Sequence, residues 1–259
     1  VPTPADLAER CAAGLRAHWR TQCGYIAGAQ VAERDGILIA ATNLPDETLS
    51  CAFVTGAPDA PEAALDWCAG WFAERGLRTG IELPAGRYPV VETALRRRGF
   101  TVVVRRPAMA LYPYVVPAGE PAPRVTVRAV DDEAGLAAFQ AVQAVAFAMT
   151  PDVTAAFLPR EGAVSPSVRW YVASFDDVPC ATAAVSVSPY GAGIVGVATL
   201  PAYRRRGLAR AATVAALRHG AAEGATLAWL YPSAMARPLY EGLGFRALGD
   251  VQVWVAPRG

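Results

Sequence analysis

The chain has 259 residues, 53% hydrophobic and 18% charged, enough core-forming material for one large domain or two ordinary ones and too apolar for long disorder. Twenty-four basic against 23 acidic residues leave a net charge of +1, which excludes the basic excess that a duplex-binding surface needs. Apart from two histidines the basic residues are all Arg, and with no Lys the chain has no route to a lysine Schiff base.

Five cysteines (Cys11, Cys23, Cys51, Cys68, Cys180) are scattered, odd in number and form no C-x-x-C pair, a pattern expected of free thiols in a reducing compartment. His18 and His219 have no second ligand at metal spacing, so no metal site is expected. No apolar run approaches the ~18 residues of a membrane span, and the first residues lack a basic-then-apolar signal. The expectation is a soluble, cytoplasmic protein with no membrane or nucleic-acid partner.

In chain order, Pro4–Cys23 has helical spacing, with Leu7, Cys11 and Leu15 on one stripe. Gly28–Thr42 reads as a hairpin turning at Asp35-Gly36, and Ser50–Thr55 as a short strand. A helix over Pro61–Arg75 stops at Gly76, and strand Gly80–Leu83 and helix Tyr88–Arg98 follow. Two strands, Thr101–Val104 and Met109–Tyr114, close the first half. Residues 117–124, with three prolines around Gly119, read as an extended linker between 1–116 and 125–259.

The second half opens with strand Val125–Val130 and a helix from Asp131 to Met149. Strands at Arg169–Ser174, Cys180–Ser188 and Gly193–Leu200 lead to a helix from about Gly207 to Glu223. Strand Thr226–Tyr231, helix Met235–Leu243 and a last strand or pair over Phe245–Val255 complete it. The alternation of strands and helices predicts an α+β (α/β) fold on a mixed sheet and not a sandwich. The order helix, strand, helix, Gly-Phe recurs, ending at Gly99-Phe100 and again at Gly244-Phe245, which suggests a duplicated unit.

Chemistry concentrates at the bend Leu200-Pro201-Ala202-Tyr203-Arg204-Arg205-Arg206-Gly207-Leu208-Ala209-Arg210. A strand ends at a proline, an arginine-rich turn follows, and an alanine-rich helix starts at once. Such a turn leaves backbone N–H groups unpaired at the positive end of a helix dipole, an anion site suited to phosphates. Gly207 and Ala209 allow close approach to the backbone, and Arg204, Arg205, Arg206 and Arg210 add charge.

The segment resembles the acetyl-CoA motif of the GNAT superfamily, Arg/Gln-x-x-Gly-x-Gly/Ala, matched as Arg204-x-x-Gly207-x-Ala209. A second family element, Asn-x-x-Ala-x-x-Leu-Tyr-x-x-x-Gly-Phe, is matched by Ser233 through Phe245, with Ser233 in place of Asn. The resemblance covers roughly residues 125–250 and implies an acetyl-CoA-dependent N-acetyltransferase acting on a primary amine of a small molecule. It further implies that Val197, Ala198 and Thr199 pair with the pantetheine arm and polarise the thioester carbonyl. By the same carry-over, N–H groups from Arg205 through Leu208 to Arg210 hold the pyrophosphate, Ser233 bonds the pantetheine, and Tyr240 protonates the departing thiolate. By its strand–helix–strand–helix–Gly-Phe order the first half is similar to the degenerate half of tandem GNAT enzymes, and Pro58–Gly76 contains no such turn; the resemblance thus implies two GNAT-like domains, each a mixed, mostly antiparallel sheet with flanking helices.

Where some members of the family carry a catalytic Glu, this chain has Ala228. Glu161, Asp176, Asp177 and a water path are the alternatives for a base. Action on another acyl thioester without an amine, and non-catalytic CoA binding, are the competing readings.

Overall fold

The computed structural model describes residues 2–44 and 49–257. Helix α1 (Pro4–Tyr25) begins in a capping box: Thr3 Oγ1 accepts from the Asp6 amide at 3.2 Å, and the Asp6 carboxylate accepts from the Thr3 amide at 2.8 Å. Strands β1 (Gln30–Arg34) and β2 (Ile37–Ala41) turn at Asp35 and Gly36, both with positive φ, as a two-residue hairpin requires. After β3 (Ser50–Val54) come α2 (Pro61–Ala73), β4 (Gly80–Pro84) and α3 (Pro89–Arg97), both helices opening on a proline that needs no N–H partner. Strand β5 runs unbroken over Thr101–Leu111, where two strands, Thr101–Val104 and Met109–Tyr114, are expected. Pro107 lies next to a register shift in the strand pairing, where the ladder tolerates a missing donor.

The second half contains β6 (Val125–Ala129), α4 (Glu133–Phe147, capped by Asp132), β7 (Val168–Phe175), β8 (Val178–Ser188) and β9 (Gly191–Thr199). Two short helices, α5 (Pro151–Phe157) and α6 (Arg160–Ala163), stand where no element is expected. Helix α7 (Leu208–Ala222), β10 (Ala228–Leu230), α8 (Arg237–Glu241) and β11 (Arg246–Val255) complete the chain.

All eleven strands form one sheet in the order β1-β2-β3-β4-β11-β5-β10-β9-β8-β7-β6. The halves therefore trade their last strands. β11 lies against β4 of the first half, and β5 lies against β10 of the second, with β5 and β11 antiparallel between them. The sequence boundary at 117–124 thus separates the chain but not the sheet.

Strand alternation splits the core into two faces. Met109, Leu111 and Leu230 face α7 and α8, while Ala110 and Trp229 face α1. Likewise Ile37 and Ile39 face α2 and α3, while Leu38 meets α1. α1 of the first half crosses the second half so closely that a Cβ on Gly14 would fall 2.4 Å from Trp229 Nε1.

Two parallel pairs diverge. β9 and β10 pair only at Ala192–Ala228 and Gly193–Trp229, after which β9 continues alone on that side to Thr199. β3 and β4 do the same after Ala52–Ile81 and Phe53–Glu82. Each half thus presents a V-shaped notch at the carboxyl ends of its strands, where open sheets of this kind take ligands.

Candidate active site

The notch between β9 and β10 opens into a cavity of about 700 Å³, and the bend between β9 and α7 forms one wall. After Thr199 a single 3₁₀ turn, Pro201–Tyr203, redirects the chain. Arg205 and Gly207 then adopt φ of 65° and 80°, which aims successive amides toward one side in the manner of an anion nest. Gly207 is the N-cap of α7, and glycine suits it because φ there is positive, not because space is short: a Cβ would stand 3.5 Å from Ala122. Among the described residues no backbone bond engages the N–H groups of Arg205 through Arg210. The first turn of α7 therefore offers its free donors and its dipole to the cavity.

Val197, Ala198, Thr199, Arg204, Arg205, Gly207, Leu208, Ala209, Arg210, Ser233 and Tyr240 all line this cavity. The end of β9, the start of α7 and Tyr240 of α8 meet here around one apolar cluster that holds both Leu208 and Tyr240. Arg206 is the exception. Its guanidinium stacks 4.6 Å from the Phe175 ring and 5.5 Å from that of Tyr203, which leaves only its backbone in the turn. Ala146 and Phe147 at the end of α4, with Met235 and Leu239, add an apolar wall that sequence reasoning missed. Phe147 is 54% exposed and carried no periodic signal that would separate it from a surface residue.

Thr199 lines the cavity, while its Oγ1 is buried without a hydrogen-bond partner. Tyr240 is 4% exposed, and its ring meets Phe245 edge-on at 5.9 Å. Burial pushes its phenol well above the ordinary tyrosine range, so the proton is held at neutral pH. Among the described residues the lining contains no carboxylate and no imidazole. Glu161 lies exposed on α6, and Asp176 and Asp177 form the β7–β8 turn, where Asp176 pairs with Arg124. None of the three reaches the cavity, which corrects their candidacy as bases: turn geometry and a surface ion pair account for them.

The notch between β3 and β4 is built differently. The Thr55 and Gly56 amides are taken by the Gly36 carbonyl at 2.7 and 3.3 Å, and the Asp59 amide by Asp35 Oδ1 at 3.2 Å. Pro58 and Pro61 have no N–H at all. A space of about 20 Å³, room for one water, lies near the end of this notch beside Glu82 and Tyr231, and a cavity of about 270 Å³ lies beside Thr55, lined also by Arg16, Arg20 and Glu33. Glu82 is buried on β4 and bonded to Arg106 Nη2 at 2.7 Å, and desolvation raises its pKa despite that partner. Arg87 pairs with Glu9 at 3.2 Å. All five thiols are free. Among the described residues no group of three or more His, Cys, Asp or Glu is placed to hold a metal ion, and no single helix is long and apolar enough to cross a membrane.

Residues 139–245 match the model of the acetyltransferase (GNAT) family. No curated protein sequence matches the chain. Among solved structures, a GCN5-related N-acetyltransferase from Kribbella flavida superposes with a TM-score of 0.76 at 24% identity, covering 97% of this chain and 96% of that one. A GCN5-related N-acetyltransferase from Sphaerobacter thermophilus gives 0.67 at 16% identity, covering 99% and 95%. A tandem GNAT protein from the clavulanic acid biosynthesis pathway gives 0.59 at 14% identity, covering 86% and 79%. These likenesses extend over nearly the whole chain and establish the fold.

Proposed function

We propose that this chain, a tandem GNAT-fold protein with its acetyltransferase domain at 139–245, transfers an acetyl group from acetyl-CoA to a primary amine of a small molecule. One observation carries the reading: unpaired amides at an arginine-flanked helix start line the same cavity as a buried, protonated tyrosine. When bound, acetyl-CoA would supply an activated acyl group as a thioester.

The amides of Arg205 through Arg210, with Arg204 and Arg210 beside them, suit the diphosphate. The free side of β9 at Val197–Thr199 offers strand-type bonding to the amide-rich arm. A strand N–H there polarises the carbonyl, and the remaining work is positioning of the two reactants. As the amine nitrogen bonds the carbonyl carbon and the C–S bond breaks, Tyr240 gives its proton to the sulfur and the nitrogen loses one to water. With no carboxylate in the wall, the amine must arrive neutral, and kcat/KM should rise with pH up to the pKa of the acceptor amine. Five free thiols accord with a cytoplasmic setting.

The test mixes the protein with acetyl-CoA and a panel of small amines while free thiol is followed. Amine-dependent release supports the proposal. Release at the same rate without any amine would instead favour action on the thioester alone, and tight CoA binding with no turnover would favour a binding module.

A further inference from the structure

Strand β9 does not run straight through the notch. Between Thr182–Ala198 and Ala184–Val195 its pairing with β8 slips, so Gly196 and Val197 stand opposite the single residue Ala183. Gly196 has φ of 58°, the left-handed first position of a bulge that glycine favours. Such a bulge leaves its carbonyl without a ladder partner, and here two buried side chains take it. Gln143 Nε2, from α4, donates to Gly196 O at 2.6 Å and to Thr182 Oγ1 at 2.6 Å. The Thr182 hydroxyl donates in turn to Gly196 O at 2.9 Å. Gln143 is 4% exposed and Thr182 fully buried, so these bonds form away from water.

A trans peptide holds its C=O and N–H antiparallel. Drawing the Gly196 oxygen toward α4 and β8 therefore points the Val197 N–H the opposite way, to the side of β9 that β10 has left. Val197 also lines the cavity.

We infer that Gln143, with Thr182, is a positioning residue that sets the Gly196–Val197 peptide plane and so aims the Val197 N–H at the thioester carbonyl. This rests on the proposed acyl transfer. Neither side chain touches the cavity, and neither changes its charge or volume.

Gln143→Leu keeps the size and removes both donors; Thr182→Val removes the second hydroxyl bond, and Thr182→Ser restores it. The full chain is loaded with acetyl-CoA labelled with ¹³C at the carbonyl, and the infrared stretch of the bound thioester is read beside kcat, KM and Kd for CoA. In the wild-type protein the bound stretch should lie below that of free acetyl-CoA. In Gln143→Leu it should move back toward the free value, with kcat reduced about ten- to hundredfold and Kd for CoA within about twofold. Thr182→Val should follow in the same direction, and Thr182→Ser should return to wild type. A merely structural role would lower the melting temperature and leave the stretch and the kcat-to-Kd contrast unmoved. If the wild-type stretch is shifted and both Gln143→Leu and Thr182→Val keep that shift, the inference about Gln143 fails while the transfer reading stands. If the wild-type protein binds acetyl-CoA without any shift, or does not bind it, both fail together.

Discussion

The two notches of this sheet are the same in outline and opposite in chemistry. Each follows a parallel strand pair that separates after two residues, and each is followed by a helix. In the first half the bend before α2 gives the Thr55 and Gly56 amides to Gly36 and the Asp59 amide to Asp35, and has prolines at 58 and 61, which leaves only Ala57 and Ala60 with N–H groups to offer among residues 55–61. In the second half the bend before α7 keeps its donors free and turns through Arg205 and Gly207 at positive φ. The helices that end in Gly-Phe differ in the same sense: counted back from that pair, Leu95 stands where Tyr240 does. Leu95 is fully buried in an apolar cluster, and Tyr240 lines the cavity. A fold alone does not make a site; what separates the two halves is a run of unpaired amides and one phenol.

The largest effect on this contrast should come from Gly207→Glu, which puts a carboxylate in the nest and forces a side chain onto a φ of 80°. Affinity for CoA by calorimetric titration should fall about a thousandfold, roughly 4 kcal/mol. Tyr240→Phe should lower kcat about a hundred- to thousandfold while CoA affinity stays within about twofold; Tyr240→Leu copies the first half and should do no better. Arg106→Met leaves Glu82 buried without its partner, across the intervening β11, and should cost about 3 kcal/mol in denaturant unfolding. The double variant with Glu82→Leu should recover most of it, because the loss arises from the orphaned charge. Ala209→Pro gives α7 a first-turn proline like that of α2 and removes one donor, for about a tenfold loss of CoA affinity. The smallest change is in pH response. His18 of α1, its Nδ1 buried without a partner, is pushed down by burial from 6.5 to about 4. Its neutral form therefore contributes stability above about pH 6.5 that is lost as pH falls toward 4, and His18→Leu should flatten the melting temperature across that window.

Much of the site was legible because it is local. The Arg204-x-x-Gly207-x-Ala209 bend, its helix and the Tyr240 segment each occupy a short stretch with its own turn and periodicity signals. The strand exchange was not legible. β5 and β11 each follow a Gly-Phe in the same way, and periodicity along a strand says which face is buried, not which strand lies beside it. α5 and α6, seven and four residues long, are too short for a helical stripe. Gln143 reads in sequence as one polar residue on a helix, and only the bulge at Gly196 gives its amide a purpose. Arg206 misled because a charge run does not tell which guanidinium has an aromatic ring to stack on.

The most direct test is the stoichiometry of CoA bound to the full chain, measured by titration calorimetry. One CoA per chain, lost in Gly207→Glu, is the predicted result. Two per chain, or one that survives Gly207→Glu unchanged, would contradict the claim that the free amides before α7 make the second notch, and not the first, the binding site.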